Sequence, residues 1–272
     1  MCNKTLEKRK ETYTTLSGEI SIEADERLDD LCKDGLMLIQ KPDIFCFGMD
    51  AVLLSTFAKA GKANKVLDLC TGNGVIPILM QSKNKDTSYV GLEIQEVSAN
   101  LAARNVSINN LDDKIQIIKG DLKEAAQILG DASFNVVTVN PPYKKANSGI
   151  VNPDSSKAIA RHEVLCDIDD VCQAASRCLK SKGHLFMVHR PDRLIDIIMA
   201  MKKAHIEPKR IRMVHPYVDK EANMVLIEGI KGANSYMIVE KPLIVYEKND
   251  GKNGIYTTEL LEMYGMTGKV DK

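Results

Sequence analysis

From Gly61 onward the chain alternates short apolar runs with stretches of helical period. The runs Val66–Cys70, Tyr89–Glu93, Ile115–Lys119 and Phe134–Asn140 predict strands. Helices are predicted where apolar residues keep the i, i+3, i+4, i+7 spacing of one face. Leu122, Ala125, Ala126 and Leu129 do so, as do Ile168, Val171, Cys172, Ala175 and Leu179, and then Leu194, Ile197, Ile198 and Met201. Strands at His184–His189, Lys209–Val214 and Met224–Gly229 complete seven. This alternation predicts an α/β fold, a mostly parallel sheet with helices on both faces. The segment His215–Asn223 is too short for a helical crossover, so the last two strands should pair antiparallel, with one strand reversed.

The flanks read differently. Residues 1–16 are polar without a period and predict a loose arm. Leu36–Ile39 predicts a strand ended by Pro42, and Ala51–Ala60 a helix with Asp50 as its N-cap. Beyond Val245 the chain turns polar and glycine-rich, with one short helix expected at Thr258–Tyr264. The expected organisation is an N-terminal arm, strand and helix over 1–60, the α/β domain over 61–246 and an extension over 247–272.

Composition narrows the class. With 272 residues, 44% hydrophobic and 27% charged, the chain is long enough for a sizeable core and is neither disordered nor fibrous. Its 37 basic and 37 acidic side chains cancel, so a nucleic-acid partner must be held by a local basic patch. Seven cysteines, Cys2, Cys32, Cys46, Cys70, Cys166, Cys172 and Cys178, form no C-x-x-C pair and have no histidine at zinc-like spacing. Reduced thiols and no metal are expected. Apolar runs such as Val75–Met80 fall far short of the roughly 20 residues that cross a bilayer. The start MCNKTLEKRKETYTT lacks the apolar core of a signal peptide, so a cytoplasmic location and no membrane partner are expected.

The first candidate site is VLDLCTGNGVIPILM, Val66–Met80, a strand that breaks into a glycine loop and resumes as a helix. A small molecule held at the carboxyl end of such a strand would meet Asp68, Gly72 and Gly74. The alternative is a tight turn with no ligand. Glu93 ends the next strand about 20 residues after Gly72, where a carboxylate can accept both hydrogen bonds of a ribose diol. Pro77 stands where a dinucleotide fingerprint requires its third glycine, and Asp68 would repel a pyrophosphate yet receive an ammonium. A nucleoside that carries an amino acid is S-adenosylmethionine. Asp121 can accept the adenine exocyclic amine or simply cap the following helix, and the two roles are compatible.

The second candidate is Asn140-Pro141-Pro142-Tyr143, closing the fourth strand of the run. Two prolines remove two amide donors and stiffen the turn, which leaves the Asn140 side-chain oxygen and the Pro141 carbonyl to accept hydrogen bonds from one planar amine. Tyr143 adds a flat face on which an extruded base can stack. A proline-rich turn leaving a sheet would not require Asn and Tyr at its ends.

The NPPY sequence after DLCTGNG and an acidic strand end resembles the amino-group methyltransferases of Rossmann-like fold. With FCFGMDAVLL at Phe45–Leu54, IARHE at Ile159–Glu163 and HRPDRL at His189–Leu194, the chain is similar to bacterial tRNA adenine-N(6) methyltransferases acting on the adenine 3′ of the anticodon in a valine tRNA. The resemblance runs from about Leu31 to Tyr246. It implies S-adenosylmethionine as cofactor and tRNA as substrate. It also implies that Asp68, Gly72 and Gly74 hold the methionine part, Glu93 the ribose, Asp121 the adenine, and Asn140 to Tyr143 the amine. Phe47, Gly48 and Asp50 would close the cofactor pocket, which Asn140 also borders. Lys144 follows the motif where some relatives carry an aromatic or apolar residue, which shifts weight toward phosphate contact.

Charged residues complete the reading. Lys144, Lys145, Lys157, Arg190 and Arg193 would gather at the carboxyl end of the sheet as a phosphate-binding rim. Arg161, His162 and Glu163 would order the substrate loop or contact RNA, or would merely begin a charged helix. Lys202, Lys203, Lys209, Arg210 and Arg212 form a second cluster that an exposed helix face explains as well. Competing readings are amino-methylation of ribosomal RNA guanine, DNA adenine or a protein glutamine, and a non-catalytic nucleoside- or RNA-binding module. For the helical domain that glutamine enzymes usually carry, the residues before Val66 leave little room.

Overall fold

The computed structural model describes residues 12–42, 47–62, 64–142, 166–247 and 254–266. Its centre is β5 (Lys65–Leu69), flanked by β6 (Ser88–Glu93) and then β7 (Ile115–Lys119) on one side. On the other side lie β8 (Phe134–Val139), β9 (Leu179–His189), β11 (Met224–Lys231) and β10 (Ile206–His215). β5 to β9 pair in parallel, whereas β11 runs antiparallel to both β9 and β10. The chain therefore leaves β5 in one direction and β8 in the other. That reversal opens a crevice at the carboxyl ends of β5 and β8, where open α/β sheets hold ligands.

Two apolar layers cover this sheet. On one face α1 (Met49–Phe57), α2 (Val75–Lys83) and α3 (Glu96–Ile108) bring Leu53, Leu54, Ile78, Met80 and Val106 against Val66, Tyr89 and Phe186. On the other, α4 (Ala125–Leu129), α5 (Ile168–Cys178) and α6 (Leu194–Lys203) bring Ala125, Cys172, Ala175, Ile197 and Met201 against Leu67, Val137 and Leu185. Neighbours in a strand thus enter opposite layers, as the period of two requires. Burial pushes the thiols of Cys172 and Cys178 up to about 12 and about 11, so they pack as small apolar groups.

Several expectations are corrected. Among the described residues the sheet has nine strands and not seven, because β12 (Ile238–Val239) and β13 (Leu243–Ile244) add short parallel pairings to the outer edge of β10. Two residues carry too little period to be read in advance. The expected loose arm is ordered in its last part, where β1 (Thr12–Thr15) pairs with β2 (Gly18–Ser21). A polar strand can form there because Tyr13 and Ile20 pack toward Leu101 of α3. Leu179, read as the last position of a helix face, begins β9. The stretch from Leu122 to Leu129 is one turn of 3-10 helix followed by the short α4.

A second hairpin, β3 (Arg27–Asp30) with β4 (Met37–Gln40), is docked by asparagines. Asn105 of α3 accepts from the Ile39 amide at 2.6 Å and donates to the Ile39 carbonyl at 3.0 Å; Asn109, one turn later, does the same for Met37 at 2.9 and 2.8 Å. Side-chain amides here take the place of a neighbouring strand, satisfying an edge that would otherwise be left unpaired. At the other end of the chain α7 (Thr258–Met263) buries Leu260 among the residues packed around α1. No helix among the described residues is long and apolar enough to cross a membrane.

Candidate functional site

Asp68 is the fourth residue of β5, 1% exposed, one residue before the strand ends. Its two carboxylate oxygens accept from the hydroxyls of Thr71 and Thr138, each at 2.6 Å. Burial raises its pKa to about 7 despite those donors, with the charge of Glu93 pushing the same way. A carboxyl poised there can ionise fully when a cation arrives.

After Asp68 the backbone turns sharply. Cys70, Gly72 and Gly74 have φ of 57°, 55° and 80°. Left-handed geometry favours glycine at the last two positions. A Cβ on Gly74 would lie 3.2 Å from the Cβ of Ala102, whereas one on Gly72 would meet open space. The loop is thus packed behind and open in front. Asn105 holds it from behind by donating to the Asn73 carbonyl at 2.9 Å, so the same side chain ties loop, α3 and N-terminal hairpin together.

Glu93 closes the loop from β6. One carboxylate oxygen accepts from the Gly72 amide and the other from the Gln95 amide, both at 2.9 Å. Each oxygen keeps a second lone pair, which suits a pair of vicinal hydroxyls. The cleft continues past Ile94, Asp121, Pro142 and Cys166. Asp121 caps the 3-10 turn by accepting from the Lys123 amide at 2.9 Å, so its capping role is real, and the residue also lines the cleft. Cys166 lines the same wall as Cys70, which brings the start of the α5 region to the cleft.

Asn140 follows β8. Its Nδ2 donates to Asp50 Oδ2 at 2.9 Å, joining the fourth strand of the run to the first turn of α1. Asp50 is therefore not the N-cap of that helix. Gly48 holds the cap position, and the Asp50 side chain is turned toward Asn140. Phe47 and Gly48 line a different cleft, together with Met49, Met263 and Tyr264, and the Phe47 amide donates to Gln40 Oε1 at 3.0 Å. Pro141 is buried and Pro142 half-buried. Tyr143, Lys144, Lys145, Lys157, Arg161, His162 and Glu163 lie outside the described residues.

The basic residues that are described are largely neutralised. Arg190 pairs with Asp192 at 3.2 Å and Arg193 with Asp196 at 2.7 Å. Of the second cluster, Lys202 pairs with Glu207, Lys203 with Asp169, and Arg212 with Glu259, while Lys209 sits over the Tyr236 ring. Arg210 bonds Glu228, Glu240 and the Phe57 carbonyl and stacks 3.9 Å from the Phe57 ring. The pairings of Arg210 and Arg212 make a structural brace, whereas Arg190 and Arg193 pair with near neighbours in the chain. Among the described residues no group of three His, Cys, Asp or Glu could hold a metal ion.

Residues that the sequence reading passed over complete the site. Thr138 and Thr71 hold Asp68, and Asn105 holds the loop. Asp68 and Thr138 are register partners in neighbouring strands, and a polar residue inside each of two otherwise apolar runs was the available signal. His189, 3% exposed at the end of β9, is a further case. Burial and the charge of Arg193 lower its pKa to about 4, and its Nδ1 accepts from the Arg190 amide at 2.8 Å. The neutral ring therefore carries its proton on Nε2.

Comparison with known proteins gives the family and the fold. Residues 36–207 match the family described as Methyltransferase small domain. The chain is 28% identical over 187 residues to a tRNA1(Val) (adenine(37)-N6)-methyltransferase of Porphyromonas gingivalis, covering 66% of this chain and 72% of that one. It is 26% identical over 221 residues to the protein of the same name from Dyadobacter fermentans, covering 79% and 88%. Among solved structures, a predicted O-methyltransferase from Agrobacterium tumefaciens superposes with a TM-score of 0.65 at 23% identity, over 80% of this chain and 96% of that one. The geranyl diphosphate C-methyltransferase of Streptomyces coelicolor, solved with S-adenosyl-L-homocysteine, gives 0.51 at 13% identity over 67% and 76%.

Proposed function

Because the chain belongs to the methyltransferase small domain family, we propose that it transfers a methyl group from S-adenosylmethionine to N(6) of an adenine in tRNA, at the adenine 3′ of the anticodon of a valine tRNA. The observation that carries this reading is the position of Asn140-Pro141-Pro142 beside the loop of Asp68, Gly72 and Glu93 at the sheet's reversal point.

The residues fit the cofactor. Asp68 receives the ammonium of the amino-acid end, and the open front of Gly72 gives room beside it. Glu93 uses its remaining lone pairs for the ribose, and Asp121 borders the adenine end of the cleft. When bound, S-adenosylmethionine supplies an electrophilic methyl group. The Asn140 side-chain oxygen and the Pro141 carbonyl accept the two hydrogens of the adenine amine and aim its lone pair, while Tyr143 stacks the extruded ring. A neutral aromatic amine attacks first and releases its proton to water afterwards. His189 does not serve as the base, since its Nδ1 already accepts a backbone hydrogen and its Nε2 is protonated.

Residues 61–246 form the catalytic domain in this proposal, with 1–60 as an N-terminal and 247–272 as a C-terminal extension. Lys144, Lys145, Arg161, His162 and Arg190 contact the RNA. The protein works in the cytoplasm, where tRNA is processed. The deciding experiment is transfer of labelled methyl groups to unmodified tRNA transcripts, with nucleoside analysis of the digest, run beside Asn140→Ala. N(6)-methyladenosine confined to a valine tRNA and lost in Asn140→Ala is expected. Binding of S-adenosylhomocysteine without RNA methylation would overturn the assigned substrate.

A further inference from the structure

An amide side chain can face a methyl acceptor in either of two ways, and only the one that presents oxygen holds an amine by its hydrogens. Asn140 is set by Asp50: an ionised carboxylate only accepts, so the 2.9 Å contact from Nδ2 to Asp50 Oδ2 forces the nitrogen toward α1 and turns Oδ1 to the opposite side. The other Asp50 oxygen, Oδ1, accepts from the Ala51 amide at 3.0 Å, which fixes the carboxylate against the first helical turn. Gly48 completes the arrangement. A Cβ at that position would lie 2.7 Å from Asp50 Oδ1, so glycine there leaves the space the carboxylate occupies.

We infer that Asp50 is a positioning residue, held in place by Gly48, that selects the amide orientation of Asn140 in which Oδ1 meets the adenine amine. This rests on the function proposed above and changes one assignment within it: Asp50 serves the acceptor side of the site and not the cofactor. The two residues lie 90 positions apart in the chain, and α1 reaches β8 only through the fold. Burial, then Tyr256, and only then Asp50 raise the Tyr264 hydroxyl far above its usual range, so that ring stays neutral across any practical pH.

Steady-state rates, S-adenosylhomocysteine affinity and melting temperature are to be measured for Asp50→Asn, Gly48→Ala, Asn140→Asp and the double variant Asp50→Asn/Asn140→Asp. Asp50→Asn and Gly48→Ala should each lower kcat by on the order of 10- to 100-fold, the scale of a misaligned reacting group, with cofactor-product affinity nearly unchanged. Asn140→Asp alone places two carboxyls face to face. Its residual rate should fall as pH rises, because the facing pair holds a shared proton only at lower pH. The double variant restores one donor and one acceptor, so it should regain about tenfold over the worse single variant and lose that pH limb.

A wild-type kcat in Asp50→Asn, or a double variant no better than the worse single, would overturn the inference. So would a loss of S-adenosylhomocysteine affinity that matches the loss of rate, since Asp50 would then be a cofactor ligand. Should the wild-type protein not methylate tRNA, the failure is that of the proposed function. The nitrogen-15 signal of the Asn140 side-chain amide then decides the pairing by itself: it should shift in Asp50→Asn, and an unmoved signal would refute the contact.

Discussion

Asp68 and Thr138 are register partners in β5 and β8, and the threonine hydroxyl donates to the carboxylate at 2.6 Å inside the sheet's central layer. This pairing makes one end of the cleft respond to pH. Asp68 is raised from 3.8 to about 7 by burial, so its ionisation opposes folding of the ligand-free protein. Its contribution to stability is fully present below about pH 4 and is lost as pH rises through about 7. A bound ammonium favours the ionised form. Binding of S-adenosylhomocysteine should therefore tighten from pH 6 to 8 and release protons at pH 6 but few at pH 9, read by calorimetry in buffers of different ionisation enthalpy. Thr138→Val removes a donor that lowers this pKa and should move the dependence to higher pH.

His189 has the opposite sign. Its folded pKa of about 4 lies below the ordinary 6.5, because burial and then Arg193 disfavour the charged ring. The stability it contributes is present above pH 6.5 and is lost as pH falls toward 4. Between pH 7 and pH 5 the loss from this group is about 2 kcal/mol. From pH 7 to pH 5 the unfolding free energy of the wild type should fall by about 2 kcal/mol more than that of His189→Asn, and parallel pH dependence in the two proteins would contradict the assignment.

Arg104 and Glu26 fasten α3 to the N-terminal hairpins by a bidentate pair at 2.6 and 2.8 Å. Burial alone would raise the Glu26 pKa, yet the hydrogen bonds from Arg104 and from the Glu23 backbone hold it below the usual carboxylate range. Arg104→Leu leaves a carboxylate with 2% side-chain exposure unpaired and should destabilise by about 2 to 3 kcal/mol, since the guanidinium is itself partly exposed. Adding Glu26→Gln should recover part of that loss in urea denaturation.

Arg210 separates a structural basic cluster from an RNA-binding one. Its three hydrogen-bonded partners and the Phe57 ring join β10, β11 and α1. Arg210→Ala should lower stability by about 2 to 3 kcal/mol. The salt dependence of tRNA affinity should stay unchanged in this variant. A shallower salt slope would show instead that Arg210 meets a phosphate.

Much of the fold was legible because burial in a parallel sheet requires continuous apolar runs, and helices over it require the 3.6-residue period. β5 to β8, α5 and α6 appear where those patterns place them, and β9 does so from His184 onward. The short strands β1, β2, β12 and β13 were missed for the same reason, since each owes its existence to a neighbour more than to its own pattern. The apolar run of α1 marks the helix but not its cap, which is Gly48 and not Asp50. A carboxylate before an apolar run can cap a helix or reach across the molecule, and local spacing does not distinguish the two.

The order of chemical groups along the chain, by itself, determined the glycine loop, the acidic strand end and the proline-stiffened turn, because left-handed turns favour glycine, proline fixes its own backbone, and a strand's end follows from its apolar run. Thr138 on Asp68, Asp50 on Asn140 and Asn105 on the glycine loop were decided by the tertiary structure alone. These contacts join residues between 32 and 90 positions apart. A hydrogen bond acts over about 3 Å, and only the packed sheet brings such distant groups within that reach.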